Sequence, residues 1–338
     1  MENSMMLRKK ILGITGVLIS TIVMNSAVLA KTVEFRFGNV DVEHGPAGIC
    51  VESFATAVSE LSNGTMKVNT FHGGALGTGQ AEIANTFSGA QDMFMMPPTY
   101  MGRYADEAKL IDLPYVFNNV EHLQKFYTSD LWRPAIDKTE EQGALFLDDD
   151  WTWHQKDPRG FIATRPVFTP AELNGLKMRV WSSPTVIKTW EGFGAVPVIV
   201  PRPEMYLAFK TKIIEGGPET VGVAHAQKNM EMAKYWVRTE EFYQIPNVMM
   251  NTKKYNSLTA EQQGILRKAA KVGGKCYQDV TMANFEGKKM LGRVDLDVNI
   301  IEPALGPWRK AAAATIAKME ADGYIPKGLV GKIKALDK

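Results

Sequence analysis

Two arginines supply the chemistry that this sequence displays most openly. Arg159 stands just before the apolar run Phe161-Ile162-Ala163, and Arg179 lies near the end of Leu176-Lys177-Met178-Arg179-Val180, with Ser182-Ser183-Pro184 directly after it. A guanidinium is always charged, and its planar fork matches a carboxylate or sulfonate. An arginine at a strand end, facing the start of the next helix, is placed to clamp an anion. The turn Glu215-Gly216-Gly217-Pro218-Glu219 ends a third element in the same part of the chain. Ligands of α/β sheets bind outside strand ends, so Arg159, Arg179 and Glu219 are expected around one cleft. Trp151, Trp153 and Trp181 lie close by in sequence and are candidates for its walls, although core or rim packing is the commoner fate of an indole.

Catalytic motifs are mostly missing. The chain has no G-x-S-x-G, H-E-x-x-H, C-x-x-C or Walker loop. Gly74-Ala75-Leu76-Gly77-Thr78-Gly79 lacks dinucleotide spacing and reads as a tight turn. Asp148-Asp149-Asp150 with His154 suggests a metal at first sight, but adjacent acids on an extended segment point to opposite faces, which favours a solvated loop. The five histidines form no i, i+4 ligand pair, and neither Cys50 nor Cys276 has a histidine nearby to act as its base. No cofactor, metal or catalytic residue is therefore expected. The competing enzyme reading pairs Glu219 with Asp41 or Glu43 as acid and base; it requires turnover, whereas a binder returns its ligand unchanged. A sensor using the same cleft is a third reading.

The elements that must position these groups alternate. Val33 to Phe37 reads as a strand, and the helix after it places Phe54, Val58 and Leu61 on one face before the stop Asn63-Gly64. Met66 to Asn69, a helix over 80–88 and a buried strand at 92–96 continue the rhythm, as does the strand 144–147. Thr169-Pro170-Ala171-Glu172 has the form of a capping box, and Asn174-Gly175 stops that short helix just before the Arg179 strand. Strands follow at 196–200 and 213–214, with helices at 184–192, 203–210 and 221–236, then a strand-like stretch over 243–250. Thr259-Ala260-Glu261-Gln262 opens a helical pattern running toward Leu291, long enough to cross from one lobe to another. The alternation predicts an α/β fold with helices on the sheet faces.

Composition narrows the compartment. Arg8-Lys9-Lys10, the uncharged run from Ile11 to Met24 and Ala27-Val28-Leu29-Ala30 have the form of a secretory signal peptide cut after Ala30. The apolar run is shorter than the ~20 residues of a spanning helix. Removing 1–30 takes three basic residues and one acidic one from totals of 39 and 37, leaving 36 of each and no net charge. Nothing in that balance favours a nucleic-acid or anionic-membrane partner. The remaining chain of about 308 residues exceeds what one core usually covers, so two lobes are expected. An exported protein permits a bridge between Cys50 and Cys276, and the sequence leaves that pairing open.

The run "TRPVFTPAELNGLKMRVWSSP" followed by "GAVPVIVPRPEMYLAFKTKIIEGGPET" resembles the periplasmic solute-binding subunit of TRAP transporters, the dicarboxylate- and sialate-binding family. "SFATAVSELSNGTMKVNTFHGGALGTG", "DLPYVF" and "KKYNSLTAEQQGILRKAA" support it in the same order across nearly all of the mature chain. The resemblance implies a two-lobed periplasmic binding protein with a hinge, a central cleft and a long helix spanning both lobes. Its implied partition is 31–156 plus about 245–284 for lobe I, and 157–244 plus about 285–338 for lobe II. It also implies small and large membrane subunits as partners, and a monomer.

The family's main ligand arginine falls on Arg179 and its less constant second arginine on Arg159. Glu219 departs from the polar residue, often Asn, of that position, and Arg202 replaces a residue usually aromatic or apolar. Arg202 either faces the cleft or balances Glu204 or Glu219. A carboxylate beside an anion clamp calls for a ligand with a donor group. The expected ligand is thus a small organic anion, a carboxylate bearing a hydroxyl or amino group, with a hydroxylated sulfonate as the alternative. Asp41 and Glu43, in the loop after the first strand, complete the candidate ligand set with Trp151, Trp153, Trp181 and Arg202.

Overall fold

The computed structural model describes residues 32–155, 159–285 and 298–337. The segment read as a signal peptide and the continuation of the long helix past Phe285 lie outside them. The strands, in chain order, are β1 (Val33–Gly38), β2 (Met66–Phe71), β3 (Met93–Met96), β4 (Ala144–Phe146), β5 (Gly160–Ala163) and β6 (Lys177–Val180). They continue with β7 (Val196–Ile199), β8 (Gly216–Glu219), β9 (Tyr235–Val237), β10 (Asn247–Asn251) and β11 (Asn299–Ile301). They form two sheets, ordered β2-β1-β3-β10-β4 and β11-β9-β5-β8-β6-β7. The fold is α/β with two lobes, one around each sheet.

Each sheet has its own apolar core. The first gathers Phe35, Phe37, Phe54 and Phe94, while Phe161, Trp190 and Trp308 centre one cluster beside the second sheet and Ile162, Met205 and Trp236 another. The chain leaves the first lobe after Gln155 and returns to it as β10, which inserts antiparallel between β3 and β4. The two crossings run side by side: the Gln155 and Arg159 amides donate to the Gln244 and Phe242 carbonyls, and the Glu241 amide donates to the Arg159 carbonyl. Paired crossings of this kind are where a hinge is expected.

The long helix Ala260–Phe285 braces the lobes by packing on the helix Pro46–Leu61 of the first and touching the helix Val221–Ala226 of the second. Its capping box forms in full: the Gln262 amide donates to Thr259 Oγ1 at 3.2 Å, and Gln262 Oε1 accepts from the Thr259 amide at 3.0 Å. Cys50 and Cys276 are joined in a disulfide, with Cα atoms 5.5 Å apart, which ties this helix to Pro46–Leu61.

Several elements differ from the sequence reading. The expected helix over 221–236 ends at Ala226, because Lys228 takes a left-handed φ of 59° that stops propagation; a short 3-10 turn and β9 follow. The Thr169 box does not form: Pro170–Leu173 is a 3-10 turn, the Thr169 side chain makes no capping hydrogen bond, and Glu172 accepts from the Phe168 amide at 2.6 Å instead. The C-terminal tail departs from its expected place in lobe II. The helix Leu305–Ala321 starts in the second core with Trp308 and Ala312 and ends in the first with Ile316 and Met319, and Val330 and Ile333 stay there. Buried His122 holds that return, its Nε2 lying 2.8 Å from the Ile333 carbonyl.

Candidate functional site: an arginine cleft between the lobes

The topology of the second sheet explains why three distant residues meet. β6 runs parallel to β8, so Arg179 in β6 and Glu219 at the end of β8 point to one edge. β5 runs antiparallel to β8 and pairs Gly160 with Glu219, so the start of β5 lies at that same edge. Arg159, one residue earlier, is therefore brought to the ends of the other two strands. β8 lies close to its covering helix at Gly217, where a Cβ would come within 2.8 Å of Met205 Cε and the end of that flexible side chain would have to shift.

At this edge three guanidiniums surround one carboxylate. Glu219 is fully buried; its Oε2 accepts from Arg202 Nη1 at 3.0 Å and lies 3.8 Å from Arg159 Nη1, while Oε1 is 3.8 Å from Arg179 Nη1. Arg159 also donates to the Pro218 carbonyl at 3.1 Å and to Gln244 Oε1 at 2.5 Å, and Arg179 Nε donates to the Val200 carbonyl at 2.9 Å. Both guanidiniums lie over the Trp181 ring, at 5.1 and 5.8 Å from its centre. Arg202 reaches across to the first lobe, its Nε 3.2 Å from Asp41 Oδ1. Four buried atoms of this cluster, Asp41 Oδ1, Arg159 Nε, Arg179 Nη1 and Glu219 Oε1, have no hydrogen-bond partner.

Arg179 borders a cavity of about 250 Å³ between the lobes, and the fully buried Glu219 lies behind it, outside the lining residues. Arg179, Trp181, Arg202 and Pro203 line it from the second lobe, and Thr78, Gln80, Tyr100 and Arg103 from the first. Tyr100 sits against the start of the helix Gly79–Ser88, and only glycine fits there, since a Cβ on Gly79 would meet the tyrosine ring at 2.4 Å. A concave site walled by aromatic groups, with a few fixed charges, suits a small polar ligand.

Family 7 of the bacterial extracellular solute-binding proteins, DctP, matches residues 37–322. The chain belongs to this family. It is 27% identical over 317 residues to the 2,3-diketo-L-gulonate-binding periplasmic protein YiaO of Escherichia coli, covering 92% of this chain and 93% of that one. Two solved structures share its fold. A TRAP periplasmic solute-binding protein from Ochrobacterium anthropi with bound L-fuconate superposes with a TM-score of 0.82 at 20% identity, covering 90% of this chain and 99% of the other. Another, from Sulfitobacter sp. with bound β-D-galacturonate, gives 0.79 at 23% identity, covering 90% and 98%.

In this TRAP solute-binding protein a second set of polar groups joins the lobes beside the arginines. Thr99 and Asp112 come from the first lobe, Trp181 and Ser183 from the second. Trp181 Nε1 donates to Thr99 Oγ1 at 2.8 Å, the Thr99 hydroxyl donates to Asp112 Oδ2, and Ser183 Oγ donates to the same oxygen at 2.9 Å. Arg103 donates to Ser182 Oγ at 3.0 Å nearby. Neither Thr99 nor Asp112 was marked by the sequence, because nothing in their local pattern shows that they face another lobe.

The electrostatics follow from burial. Burial, reinforced by Arg202, pulls the Arg179 guanidinium down to about 10, which leaves it charged at neutral pH. Burial likewise lowers Arg159. It opposes the charge on Arg202 as well, yet Asp41 and Glu219 together hold that group above the ordinary arginine value. Burial pushes the Asp112 carboxyl up to about 6 and that of Glu241 to about 7, against the hydroxyl donors that favour their ionised forms.

Three residues of the expected ligand set lie elsewhere. Trp151 is in the first core, stacked on Tyr127 with ring centres 4.2 Å apart. Trp153 is wedged against the long helix, where a Cβ on Gly273 would meet its ring at 2.4 Å. Glu43 is exposed and lines no part of the cavity, because its loop turns toward solvent before the helix Pro46–Leu61 begins. Asp41, two residues earlier, does face Arg202.

The three adjacent acids divide among separate partners. Asp148 accepts from the Asp150 and Thr152 amides, while Asp149 and Asp150 pair with Arg267 and Lys271 of the long helix. Among the described residues no group of His, Cys, Asp and Glu is arranged to hold a metal ion.

Proposed function

We propose that this protein captures a small hydroxylated monocarboxylic acid of the sugar-acid type in the interlobe cleft and delivers it to TRAP membrane subunits. The observation that carries this reading is Arg179 Nη1, a buried cationic donor at the cavity wall with no hydrogen-bond partner. A ligand carboxylate satisfies it as one arm of the arginine fork. Trp181 closes the site behind the guanidiniums, Arg159 adds positive field, and Arg202 draws Asp41 of the facing lobe toward the ligand. The relatives that bind diketogulonate, fuconate and galacturonate all take carboxylates, which favours a carboxylate over a sulfonate.

The reading extends to a protein that returns its ligand chemically unchanged, is exported by a signal peptide over residues 1–30, works in the periplasm and acts as a monomer. Titration calorimetry of the mature chain against an organic-acid library tests it. The best acid should lose at least about 30-fold in affinity in Arg179→Lys, because a point charge cannot replace the fork. Equal binding by that variant would sink the assignment of Arg179.

A further inference from the structure

The cluster also bears on which acid is taken, and this step rests on the reading of the cleft as an organic-acid site. Arg179 Nη1 is a donor without a partner, Glu219 Oε1 is a buried oxygen without a partner, and they stand 3.8 Å apart. That gap is too long for a hydrogen bond between them and short enough to be bridged by two neighbouring ligand atoms. One of those atoms must accept from the guanidinium; the other must donate to the carboxylate oxygen. A carboxylate and the hydroxyl on its adjacent carbon offer that pair.

We infer that Glu219 reads the α-hydroxyl of a 2-hydroxy acid, so that the preferred ligands are open-chain aldonic acids with a free hydroxyl beside the carboxylate.

Three related classes fit worse, each for a stated reason. In a pyranose uronate the oxygen on the carbon beside the carboxylate is the ring ether, which carries no proton and would face Glu219 Oε1 with a lone pair. A 2-oxo acid presents a carbonyl there, with the same defect. A 2-amino acid brings a donor, but its ammonium would lie among Arg159, Arg179 and Arg202, all within 4 Å of Glu219. The other oxygen of Glu219 is already engaged by Arg202 at 3.0 Å, which leaves Oε1 as the reading atom. The relatives described above bind an aldonate, a uronate and a diketo acid, so this single contact would separate the chain from two of the three.

Calorimetric titration of the intact mature protein with L-fuconate, D-galactonate, D-galacturonate, 2,3-diketo-L-gulonate and 2-amino-2-deoxy-D-gluconate tests the inference. The better of the two aldonates should bind about 10- to 100-fold more tightly than the uronate, the diketo acid or the amino acid, the usual consequence of leaving a buried acceptor unpaired. In Glu219→Gln, whose amide can donate to a carbonyl or an ether, that ratio should fall to within about threefold; circular dichroism checks that the variant is folded, and the ligand series on the parent protein stands without it. A uronate or diketo acid binding the parent within threefold of the best aldonate overturns the role of Glu219 while leaving the acid-binding reading intact. Absence of binding by every acid overturns that reading, and the α-hydroxyl assignment with it.

Discussion

Two sets of side chains cross the cleft side by side, and they solve opposite problems. In the Thr99–Asp112–Trp181–Ser183 set the indole and the two hydroxyls each have an acceptor in reach, and Asp112 Oδ2 takes two donors at once. In the arginine set three guanidiniums share Glu219 and Asp41, and four buried atoms stay without hydrogen-bond partners. A satisfied polar contact holds one geometry, because every departure from it strands a buried group. An unsatisfied one has a partner still to come. The first set therefore holds the lobes in register, and the second is the one we propose completes its contacts with the ligand.

The largest expected effect comes from breaking the arginine set at Arg202. Arg202→Gln removes the charge that joins Asp41 to Glu219 across the lobes. Losing one partner of a buried ion pair costs about 3–5 kcal/mol of stability. The loss here should sit near the lower end, because Glu219 keeps Arg159 and Arg179 within 3.8 Å. Urea denaturation of parent, Arg202→Gln, Asp41→Asn and the double variant measures it. Strictly additive single losses would show that the bridge carries no coupling between the lobes.

Asp112→Asn is the matching cut in the other set, and its signature is pH dependence. The folded carboxyl titrates near 6 against 3.8 for an unperturbed aspartate, so the native state holds its proton more tightly than the unfolded chain. The stability this contributes is fully present below about pH 4 and is lost as pH rises through 6. Asparagine keeps an oxygen to accept from Thr99 and Ser183 and does not ionise. The variant should therefore match the parent near pH 4 and exceed it by on the order of 2–3 kcal/mol at pH 7. Glu241 titrates in both proteins and drops out of the difference. A gap that stays constant between pH 4 and 7 would contradict the buried, shifted carboxyl.

The contrast between the two sets also marks what sequence could disclose. Arg179 and Glu219 stand out locally, because charge placed at a strand end is visible in one dimension. That Arg159 reaches the same edge from a strand start depends on β5 running antiparallel to β8, which pairing alone decides. Trp151 takes a left-handed φ of 52°, so strand alternation does not place it relative to Trp153; that both indoles bury in the first core depends on Tyr127 and the long helix, both remote in sequence. Thr99 and Asp112 had no signal, since a hydroxyl and an acid amid apolar residues look alike in a turn and in an interface. The capping box at Thr259 and Gln262 was legible and complete, because all of its parts lie within four residues. The C-terminal return to the first lobe was not, resting as it does on His122 and the Ile333 carbonyl, 211 residues apart.

Trp181 belongs to both sets, and a substitution there separates them with the smallest effect. Its ring lies over Arg159 and Arg179, while its Nε1–H donates to Thr99. Trp181→Phe keeps an aromatic face for the guanidiniums and removes the donor. Thr99 Oγ1 then loses one incoming hydrogen bond but still donates to Asp112, so no buried donor is stranded. The expected cost is about 1 kcal/mol of stability, with acid affinity held within a few-fold of the parent. Denaturation and calorimetry on the same preparation read the two quantities separately. If affinity falls by more than tenfold while stability hardly moves, the indole acts on the ligand rather than on the register of the lobes. The division between the holding set and the binding set would then have to be drawn through Thr99 instead of through Trp181.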